Sequence, residues 1–309
     1  MNKKFLIFSI LLSAYTQISF AGDDEKKIEV HGSVGSYFNY EKSKDNYGET
    51  LIRENGLFQT YLSFPKGWEL FSEFKQYDES WDGNSGGRFD STKYELTLNP
   101  KYSFKIANNW NTKIELEEIL SVKDRISLDE KKSLESNAYV SFNYWKDNFG
   151  LLIKFGAGHL KDFENENKSW DSSSNKITFE TEPTFKLNDG TYLKLNLYSE
   201  SVKKLYDDKR KSLELSLEPA ISMRLGMAEK NRWASLKLKY KQINGESGIS
   251  DDDYFEKSFK TTIGYSQPIF GKLNGNAEIE YSKTKSKKND IEINDKDKII
   301  YKLGVSYGF

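Results

Sequence analysis

Two histidines and one nearby serine are the residues whose types could contribute to a hydrolytic centre. His31 and Ser33 are two residues apart, so in an extended segment both side chains lie on the same face. A serine nucleophile needs histidine as its base and a third group that orients the histidine beside the substrate. The pair falls at the very start of the first extended segment, which is a poor position for such a centre. We therefore predict no catalytic residues, and an enzyme is the weaker alternative.

Clusters of acidic residues are the remaining candidates for metal chemistry. Asp251–Asp253 and Asp207–Asp208 could bind Ca²⁺ through carboxylate oxygens. Both runs lie between extended segments, where solvated loop acids are the simpler interpretation. The chain has no cysteine, which excludes disulfides and thiolate metal sites. We predict neither a metal nor a cofactor.

Most of the charge instead alternates with apolar residues along the chain. In Leu213–Glu218 and Ala234–Tyr240 every second side chain is apolar, and the residues between them are charged or hydroxylated. This period of two is typical of a β-strand with two unlike faces. Fourteen such segments follow Lys27, and no segment shows a convincing helical stripe. The elements that position the charges are therefore strands.

The composition excludes several classes of protein. After residue 21 no apolar run reaches the ~18 residues that a membrane-spanning helix requires. The formal net charge is -1, whereas nucleic-acid binding calls for a basic stripe, so we predict no nucleic-acid partner. Only 37% of residues are hydrophobic although 15% are aromatic, which is an unusual combination for a protein with a compact core.

The first 21 residues have the features of a secretory signal. Lys3 and Lys4 precede the apolar stretch Phe5–Ala14, and Ser19–Ala21 has the small-x-small form of a cleavage site. A buried N-terminal helix is the alternative, but the acidic segment Gly22–Glu25 could not continue it. We predict a signal peptide at 1–21 and a single barrel domain at 22–309.

The connections between the fourteen segments alternate in length. Those after even-numbered segments are tight, whereas several after odd-numbered segments are longer and polar: Glu79 to Arg88, Phe163 to Ser174, Asn244 to Asp253 and Lys285 to Asp295. Short turns at one end and long loops at the other are typical of outer-membrane β-barrels, with the turns on the periplasmic side. The fold class that we predict is all-β: a transmembrane, antiparallel, up-and-down β-barrel of about 14 strands.

Prolines and tryptophans mark the predicted turns. All five prolines fall near the ends of even-numbered segments, as expected for a residue that cannot donate to the sheet ladder: Pro65, Pro100, Pro183, Pro219 and Pro268. Four tryptophans also lie beside tight turns: Trp68, Trp110, Trp145 and Trp233. We predict that these four form one aromatic girdle at the periplasmic interface, the alternative being scattered core aromatics.

The last segment, Ile299–Phe309, carries a more specific pattern. Its alternate residues from Tyr301 to the terminal Phe309 are all apolar or aromatic. This end resembles the signal that the barrel assembly machinery of Gram-negative bacteria reads. With the fourteen segments, short turns and proline-marked hairpins, the mature chain resembles the OmpG-type monomeric porins and the related oligogalacturonate-specific porins. The resemblance implies a passive channel for ions and small hydrophilic solutes, some relatives preferring acidic sugars.

If the apolar residues face lipid, the residues between them face inward. We predict that the pore is lined by Lys154, Glu180, Glu182, Lys194, Glu214, Glu218, Arg224, Lys237, Lys239, Lys241, Lys260, Glu278 and Glu280. So many charges require water, because burying an unpaired ion costs several kcal/mol. Lys237, Lys239 and Lys241 form a basic arc. It lies near Glu214 and Glu218 on the preceding segment and Glu180 and Glu182 two segments before that, which predicts a transverse field and weak ion selectivity. Cross-strand pairs of purely structural value are the alternative.

The sequence therefore predicts an outer-membrane porin for passive diffusion of ions and small hydrophilic solutes, including sugars or oligosaccharides. The expected partners are the lipid bilayer, lipopolysaccharide, the barrel assembly machinery and the transported solutes. The absence of one very long inward loop favours a monomer. The alternatives are a lipase- or protease-type barrel enzyme and a surface adhesin barrel.

Overall fold

The computed structural model describes residues 30–45, 50–82, 88–125, 128–163, 173–204, 211–226, 231–246, 253–289 and 291–309. The predicted signal peptide and the acids Asp207, Asp208, Asp251 and Asp252 lie outside these ranges. Within the described ranges, no helix combines the length and apolar character needed to cross a bilayer.

The described chain forms a closed antiparallel barrel in which each strand pairs with its neighbours in sequence and β1 pairs with β14. The fourteen strands are β1 (His31–Asp45), β2 (Thr50–Ser63), β3 (Trp68–Asp82), β4 (Arg88–Ala107), β5 (Trp110–Arg125), β6 (Leu128–Lys146), β7 (Phe149–Phe163), β8 (Ser173–Asn188), β9 (Thr191–Lys204), β10 (Lys211–Leu225), β11 (Arg232–Glu246), β12 (Asp253–Phe270), β13 (Leu273–Lys288) and β14 (Ile291–Gly308). Closure leaves no unpaired sheet edge. The predicted fold class and strand count are confirmed.

The period of two in the sequence becomes the two faces of the wall. On the outer face, large apolar side chains are exposed, including Ile177 at 69%, Ile263 at 59% and Leu303 at 62%. The residues between them point inward, where Glu115 and Glu280 are buried among other polar groups. The barrel is thus apolar outside and polar inside, the reverse of a soluble globular domain.

Proline affects the sheet in a regular way. Pro100, Pro183 and Pro219 each lie where the pairing with the following strand is interrupted, while the register is the same on both sides of the gap. Pairing with the preceding strand continues through each proline. Each proline thus interrupts the backbone pairing with the following strand locally and does not shift the side chains to the other face.

We call the two ends of the barrel the turn end, where even-numbered strands finish, and the loop end, where odd-numbered strands finish. At the turn end, Asn109 and Asp147 have positive φ values of 69° and 52°. Tight hairpin turns require positive φ and favour asparagine and aspartate at these positions. Lys186 near the end of β8 lies 2.8 Å from Asp189 in the turn that follows, and the hydrogen bond between them lowers the pKa of the Asp189 carboxyl.

One predicted long loop is wrong. The sequence predicts a polar connection from Lys285 to Asp295, but β13 continues to Lys288 and β14 begins at Ile291. Lys283 and Lys285 lie on the outer face, 3.5 and 3.2 Å from Asp295. The strands continue beyond the apolar band with charge on both faces, so the alternation of apolar and polar residues disappears although the strand persists.

The predicted girdle of four tryptophans is correct only in part. Trp68 and Trp110 lie on the outer face and contact Tyr102 and Tyr144, with ring centres 4.8 and 5.0 Å apart. The outer row of rings continues through Tyr144 and Phe149 to Phe185. An aromatic girdle therefore exists at the turn end, but tyrosine and phenylalanine supply most of it.

The other two tryptophans point into the barrel. Trp145 covers the backbone of Gly150 on the inner face. Trp233 lies against the Arg224 guanidinium, 5.2 Å from the ring centre, and 6.1 Å from the ring of Tyr192. Adjacent positions in a strand point to opposite faces, so closeness to a turn does not determine the side on which an aromatic lies.

Candidate functional site

The inner wall of the barrel is the candidate functional site. Strand alternation places all the predicted pore-lining residues on this face: Lys154, Glu180, Glu182, Lys194, Glu214, Glu218, Arg224, Lys237, Lys239, Lys241, Lys260, Glu278 and Glu280. They occupy seven consecutive strands, β7 to β13, and so cover about half of the circumference.

Many of these charges meet opposite charges on adjacent strands. Lys194 lies 2.7 Å from Glu182, and Lys260 lies 3.3 Å from Glu280. Lys302 on β14 pairs with Glu278 and lies 3.8 Å from Glu280. The alternative of cross-strand neutralisation thus describes much of this wall.

Lys241 bridges two strands. Its ammonium lies 3.7 Å from Glu214 on β10 and 3.5 Å from Glu256 on β12. Lys154 on β7 similarly shares Glu115 with Lys101, at 3.5 and 3.6 Å. Chains of alternating charge fix the long side chains against the wall instead of leaving them across the lumen.

Ion pairs also connect strands in the rest of the wall, outside β7 to β13, the strands that carry the predicted pore-lining residues. Arg53 on β2 lies 3.3 Å from Glu41 and 2.7 Å from Glu79, and Lys298 on β14 lies 3.2 Å from the same Glu41. Lys123 completes the group at 2.7 Å from Glu79. The alternation in β1–β3 is weaker than elsewhere, so the sequence pattern does not mark Glu41, Arg53 and Glu79 as pore-lining.

Five predicted residues remain without a counter-charge. No ion pair with any residue in the described part of the chain is made by Glu180, Glu218, Arg224, Lys237 and Lys239. Lys239 instead lies 6.0 Å from the ring centre of Tyr198. The excess positive charge of β11 is thus only partly neutralised.

Uncompensated acids lie on another part of the wall. Glu117 on β5 accepts hydrogen bonds from Asn137 at 2.9 Å and from Asn99 and Tyr139 at 3.4 Å. Glu180 accepts from Asn196, and Glu200 accepts from Tyr198 at 2.7 Å. These donors are neutral, so none of them supplies a counter-charge to the carboxylates. β5 and β11 are six strands apart in a ring of fourteen, so Glu117 lies nearly across the lumen from the lysines of β11, whereas Glu180 on β8 and Glu200 on β9 lie nearer to them.

The histidines do not form a common site. His31 lies on the inner face at the turn end of β1, whereas His159 lies on the outer face of β7 and contacts Asn175 at 2.8 Å. In the described ranges, no three metal-ligating side chains are grouped as a metal site would require.

Comparison with known proteins shows similarity in fold. No protein-family model and no curated protein matches the sequence. The Pseudomonas putida toluene transporter TodX has 9% identity and a TM-score of 0.53, with 94% of this chain and 91% of that chain covered. A Pseudomonas aeruginosa FadL homologue has 8% identity, a TM-score of 0.51 and coverage of 90% of each chain. A bacterial polysaccharide outer membrane secretin has 8% identity and a TM-score of 0.50, covering 91% and 98%. The architecture of this chain is that of outer-membrane β-barrels.

Proposed function

We propose that this chain is an outer-membrane porin, a water-filled channel through which ions and small hydrophilic solutes diffuse. The observation that carries the proposal is the closed ring of fourteen strands with apolar residues outside and lysine and glutamate inside. A barrel of this strand number is wider than the eight-stranded barrels that side chains can fill.

The inner charges support a wet interior. Ions without counter-charges, such as Lys237, Lys239 and Glu218, cost several kcal/mol each in a dry core. Even Lys194 and Lys302, whose ammonium groups are paired, have side chains that are 44% and 35% exposed. Water in the lumen solvates these groups and provides the path for solutes.

Several features support the location and partners in this proposal. The exposed apolar face and the outer aromatic row, from Trp68 to Phe185, match the lipid-facing surface of outer-membrane barrels. The N-terminal 21 residues serve as an export signal, and the strand that ends at Phe309 is presented to the barrel assembly machinery. The mature protein acts as a monomer in contact with lipid and lipopolysaccharide. The OmpG-type porins remain the specific family that we propose, and no enzymatic activity is part of the proposal.

The structural neighbours that are transporters support passage through a barrel. TodX is described as a monoaromatic hydrocarbon channel and a toluene transporter. The inner wall of this chain is charged, which favours hydrophilic solutes over hydrocarbons.

Solute flux into vesicles tests the proposal. The refolded protein is placed in liposomes loaded with an impermeant polymer, and swelling is recorded after addition of sugars of increasing size. Pentoses should cause fast swelling and larger oligosaccharides progressively slower swelling, with protein-free liposomes as the control. Swelling no faster than in the control, with the barrel folded and inserted, would contradict the porin function.

A further inference from the structure

We infer that the inner wall between β10 and β14 contains a binding site for the phosphoryl group of a small hydrophilic solute. The site is a recess of about 500 Å³ lined by side chains from these five strands. This inference rests on the proposed channel function and adds a class of solute to it.

The strand register arranges the ammonium groups in two adjacent rows. In the first row, Lys239 lies opposite Lys260, followed by Ser282 and Lys298 on the next two strands. The second row crosses the same strands one inward position nearer the loop end. It starts at Lys241 and ends at Lys296. Five lysines from β11, β12 and β14 therefore line one recess.

Hydroxyl donors fill the gaps between the ammonium groups. Ser282 lies between Lys260 and Lys298 in the first row, and Ser258 and Thr284 lie between the lysines of the second row. All three face the recess. A phosphoryl group presents three strong acceptor oxygens, so a mixture of ammonium and hydroxyl donors in one concave patch suits it.

The charge of the recess is positive. Five lysines line it against two carboxylates, Glu214 and Glu256, both of which contact Lys241. Lys260 and Lys298 are held from outside the recess by Glu280 and Glu41, at 3.3 and 3.2 Å. These contacts fix the lysine stems, while Lys239 lacks an ion pair among the described residues. An anion that enters the recess therefore meets preorganised and incompletely neutralised cations.

Charge and the number of acceptors favour phosphoryl over carboxylate ligands. Near neutral pH a phosphoryl group carries about 1.5–2 negative charges and three strong acceptor oxygens, more than a carboxylate offers to a patch of several cations. The lysines that line the recess bind such a group as point charges. Glu117 on β5, which makes no ion pair with a described residue and lies nearly across the lumen, repels the same ligand toward this wall.

Current recordings with two phosphoryl probes test the inference. The refolded protein is placed in a planar bilayer in KCl at pH 8, and inorganic phosphate or glucose 6-phosphate is added, with acetate as the carboxylate comparison. We expect phosphate and glucose 6-phosphate to interrupt the current at lower concentrations than acetate. In the variant Lys239→Gln/Lys260→Gln, the half-blocking concentration should rise roughly tenfold or more, because hydrogen bonds to a charged group are worth about 1.5–3 kcal/mol.

The control variant Lys101→Gln/Lys113→Gln removes two ammonium groups from β4 and β5 and should change the half-blocking concentration less than about twofold, because distant charges are screened. A conducting channel that neither phosphoryl probe blocks better than acetate would overturn the phosphoryl site. Equal weakening in the two variants would overturn it as well, because a general field would then explain the effect. Absence of any current from the inserted wild-type barrel would instead contradict the channel function itself. Heat-modifiable migration on gels verifies that each variant is folded.

Discussion

Arg53 of β2 and Glu79 of β3 form a two-point contact on the inner wall: the Nη2 and Nε atoms of Arg53 lie 2.7 and 2.9 Å from the same carboxylate oxygen. Glu79 is 6% exposed, and Glu41, the second partner of Arg53, is 5% exposed. Arg53 therefore joins two nearly buried carboxylates on either side of β2. Its removal leaves like charges close together in a poorly solvated part of the wall.

We predict that Arg53→Gln lowers the free energy of unfolding by about 1–3 kcal/mol, the cost of leaving a buried charged partner unsatisfied. Lys123 and Lys298 still contact the two acids, which keeps the loss below that of a fully isolated charge. Arg53→Lys, which keeps the charge and loses the fork, should fall between the variant and the wild type. Urea unfolding of the barrel in lipid vesicles, followed by tryptophan fluorescence, measures the difference. Equal stability of all three proteins would show that the bridge has no energetic role.

The basic arc of β11 predicts a change in ion selectivity. Replacing Lys237, Lys239 and Lys241 by glutamate should shift the reversal potential in a KCl gradient toward cation selectivity, because six units of charge change on the inner wall. The matched control is the same replacement at Lys283, Lys285 and Lys287, which lie on the outer face of β13. Their conversion should leave the reversal potential near that of the wild type. The inward assignment of β11 would be wrong if the first variant kept the selectivity of the wild type.

The seam between β1 and β14 depends on a glycine. A Cβ atom added to Gly304 would collide with the ring of Tyr37, which lies across it on the inner face. We predict that Gly304→Ala destabilises the barrel by about 1–3 kcal/mol through overpacking. At Gly245 the same atom would meet its nearest neighbour at 3.5 Å, so Gly245→Ala is the control and should be nearly neutral.

The double variant Tyr37→Ala/Gly304→Ala distinguishes a steric effect from a general one. Removal of the ring should restore most of the stability that Gly304→Ala loses, relative to Tyr37→Ala alone. A double-mutant cycle from urea unfolding gives the coupling. Purely additive losses would mean that the contact with Tyr37 does not determine the requirement for glycine.

The two orientations of tryptophan predict different quenching. Proteins that retain only Trp68 or Trp110 should be quenched by brominated lipid tails, whereas those that retain only Trp145 or Trp233 should be quenched by iodide in the water phase. The reason is that the first pair lies on the outer face and the second on the inner face. Quenching of Trp145 by brominated lipid and not by iodide would contradict its inner position and place it in the outer girdle.

The sequence is sufficient to predict the existence of the strands but not the residues at which they end. Alternation within Leu213–Glu218 reports one face in lipid and one in water, and this condition holds only inside the apolar band. Beyond the band both faces are wet, so the sequence pattern of Lys285–Lys288 predicts a loop although this segment pairs with β14. The length of a strand outside the membrane depends on pairing with a distant segment, which the local pattern does not report.

Which charges of the inner wall are paired depends on the register of the strands, and the sequence alone does not predict it. Lys239 and Lys241 are equivalent in the sequence, yet Lys241 lies between Glu214 and Glu256 while Lys239 lacks an ion pair in the described chain. Which acid a lysine reaches depends on the neighbours across two strand pairs, and Pro219 removes one pairing beside Lys239. Sequence alternation predicted the inward face, and only the three-dimensional register separates neutralised from unneutralised charges.

Single-channel recording tests the central claim, a water-filled lumen, most directly. The refolded protein is added to a planar bilayer in 1 M KCl, a conventional condition, and its insertion is verified by heat-modifiable migration of the recovered protein. The account predicts discrete conductance steps, each from one inserted barrel, that grow in proportion to the bulk conductivity of the salt solution. A folded and inserted barrel that passes no current at any salt concentration would contradict it.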